Sequence, residues 1–194
     1  MKKIFALLLA ITCSISLVAQ TFSGTWNTRT ATYTNTAHSL KWQLMDNLTW
    51  IGRPILSEDT LFKVRNDDTH ILIKLGATKG EDGNRDAWDF ISMFQSSQFQ
   101  APYKQQAQQN GMSFLGLKAA KDQLCGIHAI KTRSDMKKYY PEHKQTVHSI
   151  EIIYTVYRRG YMYTVSVAAL SVIENEIELF DNIANELFKG FSFE

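Results

Sequence analysis

Cysteine, proline and net charge are all scarce in this chain of 194 residues. It contains two cysteines and three prolines, and its formal net charge at pH 7 is +2. Cys13 falls in the apolar N-terminal segment, which leaves Cys125 alone in the rest of the chain. An intramolecular disulfide framework and a cysteine-based zinc site are therefore excluded. Cys125 has apolar neighbours in the sequence, which predicts an inert packing role for its thiol.

Apolar runs of membrane-spanning length are also missing. The N-terminal run from Ile4 to Ile11 is far shorter than the ~20 residues that a spanning helix needs. It follows Lys2 and Lys3 and precedes small and polar residues up to Ala19, which is the layout of a secretory signal peptide. We therefore expect residues 1–19 to be a signal peptide and the protein to be secreted or periplasmic.

Neither sign of charge dominates the expected mature chain. Lys2 and Lys3 account for the whole basic excess, so 19 basic and 19 acidic residues remain. A neutral chain gives no electrostatic reason to expect nucleic acid or an anionic membrane as the main partner. The remaining length suits one domain with a sizeable core, and no repeat or linker divides it. We predict a single domain at 20–194.

Familiar catalytic motifs are missing from the sequence. There is no Gly-x-Ser-x-Gly nucleophile elbow, no phosphate-binding glycine-rich loop and no obvious Ser/His/Asp set. The five histidines lack the short spacings of zinc ligands. The sequence thus predicts no cofactor and no metal site, and it favours a non-enzymatic binding domain. The alternative is a hydrolase or other enzyme with a dispersed active site, at His128 or His148.

The strongest positive signal is a long β-hairpin from Val147 to Leu170. β-Branched and aromatic residues dominate both arms, and Arg158-Arg159-Gly160 predicts the turn between them. Apolar residues on both faces of the first arm are typical of a central pair in a sheet covered on both sides. The sequence from Ser171 to Glu174 matches a capping box, which predicts a C-terminal amphipathic helix ending near Lys189-Gly190.

Shorter patterns predict the other elements. Leu40, Trp42 and Leu44 alternate as one face of a strand, and Asp86 is the expected N-cap of a helix. Pro102 suits the first turn of a second helix. Residues 60–65 and 70–75 are expected to form the arms of a hairpin, with a helix starting near Ser57 as the alternative. Strands are expected at 113–118 and 124–130, with a turn near Lys121-Asp122. A loop is expected from Ser134 to Gln145.

A group of basic and aromatic residues gives the one functional hint. If the Arg158-Arg159-Gly160 turn folds over the loop from Ser134 to Gln145, the two form a surface able to bind an acidic or glycan ligand. We predict a protein or small ligand as the partner. The residues of this predicted surface are Arg133, Tyr139, Tyr140, Arg158 and Arg159.

The order of elements resembles the photosystem II extrinsic protein family PsbP and the yeast Ran-binding import factor that shares its fold. The residues that carry the resemblance are Leu40 to Leu44, Gly126, Tyr161 to Ser166 and Leu187 to Phe193. The resemblance implies an α+β fold, an α/β/α sandwich in which helices flank a central antiparallel sheet and the C-terminal helix is amphipathic. It implies little chemistry, because one fold hosts many functions.

Overall fold

Two antiparallel sheets contain most of the described chain. The computed structural model describes residues 24–57, 60–80 and 85–194, so the predicted signal peptide lies outside it. The strands are β1 (Thr25–Asn27), β2 (Thr32–Asn35), β3 (Leu40–Gln43), β4 (Ile51–Ser57), β5 (Thr60–Asn66), β6 (Ile71–Lys79), β7 (Ser113–Leu124), β8 (Ile127–Tyr140), β9 (Gln145–Arg158), β10 (Tyr161–Ile173) and β11 (Phe191–Phe193).

The described helices fall into two groups. A 3-10 turn (Ala87–Phe90), α1 (Ile91–Phe94) and α2 (Ser97–Gln109) connect β6 to β7. A second 3-10 turn (Glu174–Glu176) leads into α3 (Ile177–Lys189) between β10 and β11. Among the described residues, no helix is long and apolar enough to cross a membrane.

The predicted long hairpin forms the centre of the larger sheet. This sheet has the strand order β4-β5-β6-β10-β9-β8-β7. Arg159 and Gly160 both have positive φ, at 50° and 77°, and a two-residue turn of this kind matches the twist of the strands that it joins. Ile150, Ile152 and Val156 of β9 are buried. The prediction of a central β9–β10 pair is therefore confirmed.

The smaller sheet joins the start of the described chain to its end. Its strand order is β1-β2-β3-β11, and Phe191 of β11 pairs with Trp42 of β3. The Trp42 indole is fully buried and donates to the carbonyl of Leu187 at 2.8 Å. A Cβ on Gly190 would lie 1.9 Å from the carbonyl oxygen of Gln43, so only glycine fits at this crossing.

One large core lies between the smaller sheet, α3 and the central strands. Phe180, Ala184 and Leu187 of α3 belong to it, together with Tyr33 of β2 and Val165 of β10. A separate cluster brings Ala87 and Phe94 against Ile130 of β8. The α+β class with antiparallel pairing is confirmed, but the sequence did not predict a second sheet packed beside the C-terminal helix.

Two local predictions about where helices begin are wrong. The serine of the expected capping box lies inside β10, because that strand continues through a bulge until Ile173 pairs with Val147. The helix begins only at Ile177, and no side chain caps it. Pro102 lies in the interior of α2, not in its first turn, because the helix already begins at Ser97.

Strands β7 and β8 are longer than the sequence predicts. The turn between them is Cys125-Gly126, with φ of 55° and 75°, and not Lys121-Asp122. Strand β8 continues to Tyr140, so most of the expected loop from Ser134 to Gln145 is strand. The hairpin of β5 and β6 is confirmed, and the alternative helix from Ser57 is wrong because β4 ends there and Thr60 begins β5.

Candidate functional site

A basic pocket of about 410 Å³ lies at the end of the larger sheet where the β7–β8 and β9–β10 turns meet. The register pairs Ala129 of β8 with Val156 of β9, and the next residues toward this end of the sheet are His128 on β8 and Tyr157 on β9. The segment before the first 3-10 turn supplies the remaining wall. The residues that define the basic pocket are Arg85, Asp86, His128, Tyr157, Arg158 and Arg159.

Asp86 and His128 form the best-defined polar pair in this pocket. The Oδ2 atom of Asp86 lies 2.6 Å from Nδ1 of His128, and the two side chains are 40% and 41% exposed. The hydrogen bond from His128, followed by one from the backbone N–H of Trp88, lowers the pKa of the Asp86 carboxyl below its ordinary value. An ionised carboxylate can only accept, so Nδ1 of His128 carries the proton.

Trp88 fixes the plane of the His128 ring. The two rings stack with their centroids 3.5 Å apart and their planes 9° from parallel. The indole is itself held, because its Nε1 lies 3.1 Å from the carbonyl oxygens of both Asp122 and Ala129. Asp86 is held by the same turn, since its side chain accepts from the Trp88 backbone N–H at 2.9 Å. The predicted N-cap role of Asp86 is confirmed.

The two arginines of the β9–β10 hairpin are anchored differently. The Arg158 guanidinium lies 4.6 Å from the centre of the Phe193 ring, and its Nη2 donates to the carbonyl of Glu194. Arg159 donates to the hydroxyl of Ser39 at 3.1 Å. The partner of Arg159 is a neutral hydroxyl, whereas the partner of Arg158 is the main-chain oxygen of the last residue, and Nη1 of Arg158 is buried with no hydrogen-bond partner among the described residues.

The pocket also has an aromatic wall. Tyr157 stacks against Phe90 with the ring centroids 5.0 Å apart, and Arg85 lies 5.5 Å from the Phe90 ring. Burial raises the pKa of the Tyr157 hydroxyl, so this group remains protonated at neutral pH. Among the described lining residues, the guanidinium groups of Arg158 and Arg159 share the pocket with one side-chain carboxylate, that of Asp86, which His128 and Trp88 already engage.

The other members of the predicted surface lie elsewhere. Tyr139 and Tyr140 pair with Thr146 and Gln145 at the β8–β9 end, which is roughly 40 Å along β9 from Arg158. Arg133 lies in the middle of β8 and is bonded to Asp181 of α3. The structure therefore brings together only Arg158 and Arg159 of the five residues. A role for Tyr139 and Tyr140 in binding stays a prediction.

A second aspartate–histidine pair lies within the same sheet. His148 is 4% exposed, and its Nδ1 lies 2.8 Å from Oδ1 of Asp135. Its Nε2 is buried and has no hydrogen-bond partner among the described residues. This histidine, unlike His128, does not line the basic pocket.

A larger and less polar pocket, about 650 Å³, lies between α3 and the β7–β8 turn. Leu124, Tyr154 and Phe188 form its buried floor. Cys125 lies at its edge and is exposed as a residue, whereas the sequence predicts a packing role for it; partial burial of its thiol raises the pKa of that group. The charged Glu186 and Lys189 at the rim bond to each other, so this pocket lacks the unbalanced charge of the basic pocket.

Comparison with known proteins gives no matching family model and no matching curated protein. Similar solved structures include cyanobacterial PsbP from Synechocystis (10% identity, 84% of this chain and 91% of that chain, TM-score 0.48). The Ran-binding protein Mog1p of Saccharomyces cerevisiae is 9% identical over 84% of this chain and 94% of that chain, with a TM-score of 0.45. LpqN of Mycobacterium tuberculosis, involved in cell envelope biogenesis, is 11% identical over 79% of this chain and 82% of that chain, with a TM-score of 0.42.

The resemblance expected from the sequence is therefore found again in the structure. Identities of 9–11% and TM-scores below 0.5 carry no information about a ligand or a partner. The basic pocket must be interpreted from its own residues.

Sequence reasoning missed two residues of this site. Arg85 and Trp88 flank Asp86 at the start of a helix, where they resemble ordinary turn and surface residues. His128 lies 42 positions after Asp86, so no spacing in the sequence marks the pair. The one available signal was the N-cap assignment, which placed Asp86 at a defined position.

Proposed function

We propose that this protein is a secreted or periplasmic domain that binds a small anionic ligand in the basic pocket. The observation that carries the proposal is the charge balance among the described lining residues: Arg158 and Arg159 line the pocket beside one side-chain carboxylate, that of Asp86, which is already engaged. A volume of about 410 Å³ is within the range of small-ligand sites.

Guanidinium groups suit this task because their donors form a planar fork that matches a carboxylate or a phosphate. Arg158 and Arg159 sit on a tight turn between two long strands, and each is bonded to another part of the fold. Such anchored donors lose little side-chain freedom when a ligand binds. Binding needs no nucleophile, and no serine, threonine or cysteine lines this pocket among the described residues.

Titration with inorganic phosphate by isothermal calorimetry tests the proposal. Replacing Arg158 and Arg159 with glutamine should weaken binding by at least about tenfold, since each charge-assisted hydrogen bond contributes roughly 1.5–3 kcal/mol. Arg159→Gln alone should also weaken binding, which guards against a folding defect caused by loss of the Arg158–Phe193 contact.

The matched control is the double change of Lys137 and Lys138 to glutamine. It removes the same charge from β8, close to the β8–β9 turn at the opposite end of the sheet. Affinity for phosphate should then change by less than about twofold, because charges that far apart are screened at physiological salt. An equal loss in both double variants, or no binding by the wild-type protein, would contradict the proposal.

A further inference from the structure

We propose that the basic pocket hydrolyses a phosphodiester, with His128 as the general base that activates water. This goes beyond ligand binding, and it rests on the proposed capture of an anion by the arginines.

The first argument is the fixed position of His128. Asp86 holds Nδ1 at 2.6 Å, and Trp88 covers one ring face at 3.5 Å. Both holding groups are themselves fixed, Asp86 by the Trp88 backbone N–H and Trp88 by two carbonyl oxygens. An exposed histidine ordinarily samples several rotamers, whereas catalysis requires a single one held by its surroundings.

The second argument is the nitrogen that this arrangement leaves available. Because the Nδ1–H of His128 donates to Asp86, Nε2 is the ring nitrogen whose lone pair can accept a proton. His128 lines the pocket with 41% of its side chain exposed, and its hydrogen bond to Asp86 uses Nδ1 and not Nε2. A carboxylate that fixes the tautomer of a histidine from behind is the arrangement that makes the far nitrogen a general base.

The arginines indicate the class of substrate. A phosphodiester carries one negative charge shared by two non-bridging oxygens, and a guanidinium fork such as that of Arg159 can donate to both. The charge on these oxygens grows as an attacking oxygen approaches phosphorus, so fixed guanidinium groups stabilise the transition state more than the ground state. A neutral ester would give Arg158 and Arg159 no anionic partner.

The reaction uses water as the nucleophile, since no hydroxyl or thiol nucleophile of serine, threonine or cysteine lines the described pocket. Nε2 of His128 takes a proton from water while the water oxygen forms a bond to phosphorus. The bond from phosphorus to the leaving oxygen breaks on the opposite side of phosphorus, the leaving oxygen takes a proton from solvent, and His128 gives its proton to solvent. The products are a phosphomonoester and an alcohol, and no oxidant, reductant or metal enters the balance.

The test uses bis(4-nitrophenyl) phosphate, with release of 4-nitrophenolate followed by absorbance in buffer containing a chelator. His128→Gln should lower kcat by about 10²–10⁴-fold, which is the usual contribution of a general base. Its affinity for inorganic phosphate should fall less than that of the Arg158 and Arg159 double variant, because the arginines remain in place. His143→Gln is the matched control, because this exposed histidine lies in the β8–β9 turn.

Asp86 is a positioning residue in this scheme, and Asp86→Asn tests that role. We expect a lower kcat together with a changed ¹⁵N chemical-shift signature of the His128 ring, which reports its tautomer. A purely structural role for Asp86 would leave that signature unchanged in the folded variant and would contradict its assigned role.

The possible failures are distinguishable. Arginine-dependent phosphate binding without turnover would overturn the hydrolysis and leave the proposed function standing. Lack of phosphate binding would overturn both. Turnover that persists in His128→Gln, or turnover of 4-nitrophenyl acetate but not of the diester, would also overturn the inference.

Discussion

The two aspartate–histidine pairs have almost the same hydrogen bond and very different surroundings. Asp86 and His128 lie 2.6 Å apart with about two-fifths of each side chain exposed. Asp135 and His148 lie 2.8 Å apart, and the histidine side chain is only 5% exposed. Each aspartate lies beside the Nδ1 atom of its histidine. What differs is the other nitrogen, which is accessible in His128 and enclosed in His148.

This difference in exposure predicts different roles for the two pairs. A buried polar group that loses its partner retains the full penalty of desolvation, whereas an exposed group exchanges its partner for water. The Asp135–His148 pair should therefore matter mainly for folding. The Asp86–His128 pair should contribute little to folding and should act on whatever enters the basic pocket.

The largest effect on stability is expected from Asp135→Ala. This change leaves a buried imidazole without its acceptor, and we expect the free energy of unfolding to fall by about 2 kcal/mol. Urea denaturation measures it. The control is Asp67→Ala, which breaks an exposed pair with Arg65 and should change stability by less than about 0.5 kcal/mol. Similar losses in both variants would remove the distinction between buried and exposed pairs.

Asp86→Ala should destabilise the protein by about 1 kcal/mol, because it removes the cap of the first 3-10 turn. Asp86→Ser is the informative companion, since a serine hydroxyl can still accept from the Trp88 N–H but carries no charge for His128. Urea denaturation should show stability close to wild type for the serine variant. If the serine and alanine variants lose the same free energy of unfolding, the pair with His128 is what stabilises this turn.

The pH dependence of the Asp86 pair has a definite sign. The folded-state pKa of Asp86 is lowered, first by His128 and second by the Trp88 N–H, so its stabilising effect is present above the unfolded-state pKa. That effect is lost as pH falls through the folded-state value. His128→Gln should raise the Asp86 pKa toward its ordinary value, as measured by NMR titration of the carboxyl carbon. An unchanged titration would show that His128 is not the main cause.

The smallest effect on stability is expected from His128→Gln. Its ring is exposed and glutamine is a polar replacement, so the free energy of unfolding should stay within about 0.5 kcal/mol of the wild type. His148→Gln should lower the free energy of unfolding distinctly more in the same urea experiment, because the new amide must find hydrogen-bond partners in a buried site. Equal losses would mean that exposure does not separate the two histidines.

The sequence predicts the centre of the fold well because the signals there are local. The β9–β10 hairpin has long apolar arms and a turn whose Arg159-Gly160 pair tolerates positive φ. The stripe of Phe180, Ala184 and Leu187 likewise predicts the buried face of α3. These patterns agree with the tertiary structure, so local and global preferences indicate the same elements.

Predictions fail where pairing partners decide the structure. Ser171 to Glu174 satisfies a local helix-start pattern, but pairing of Ile173 with Val147 keeps the strand going until Ile173. Polar residues between Ser134 and Tyr140 suggest a loop, yet β9 offers a partner for each of them. Pairing between strands that are far apart in the sequence cannot be predicted from a short stretch of residues. The contact between Asp86 and His128 could not be predicted for the same reason.

Strand β11 has a consequence for how the chain reaches its native state. Its pairing with β3 joins Phe191 to Trp42 across about 150 residues, and such non-local contacts slow folding. Until the segment from Leu187 to Phe193 arrives, the smaller sheet has an open edge and the Trp42 indole lacks its carbonyl partner. A chain clipped after Lys189 would expose that edge and the apolar surface behind it, which makes such a fragment prone to aggregation and proteolysis.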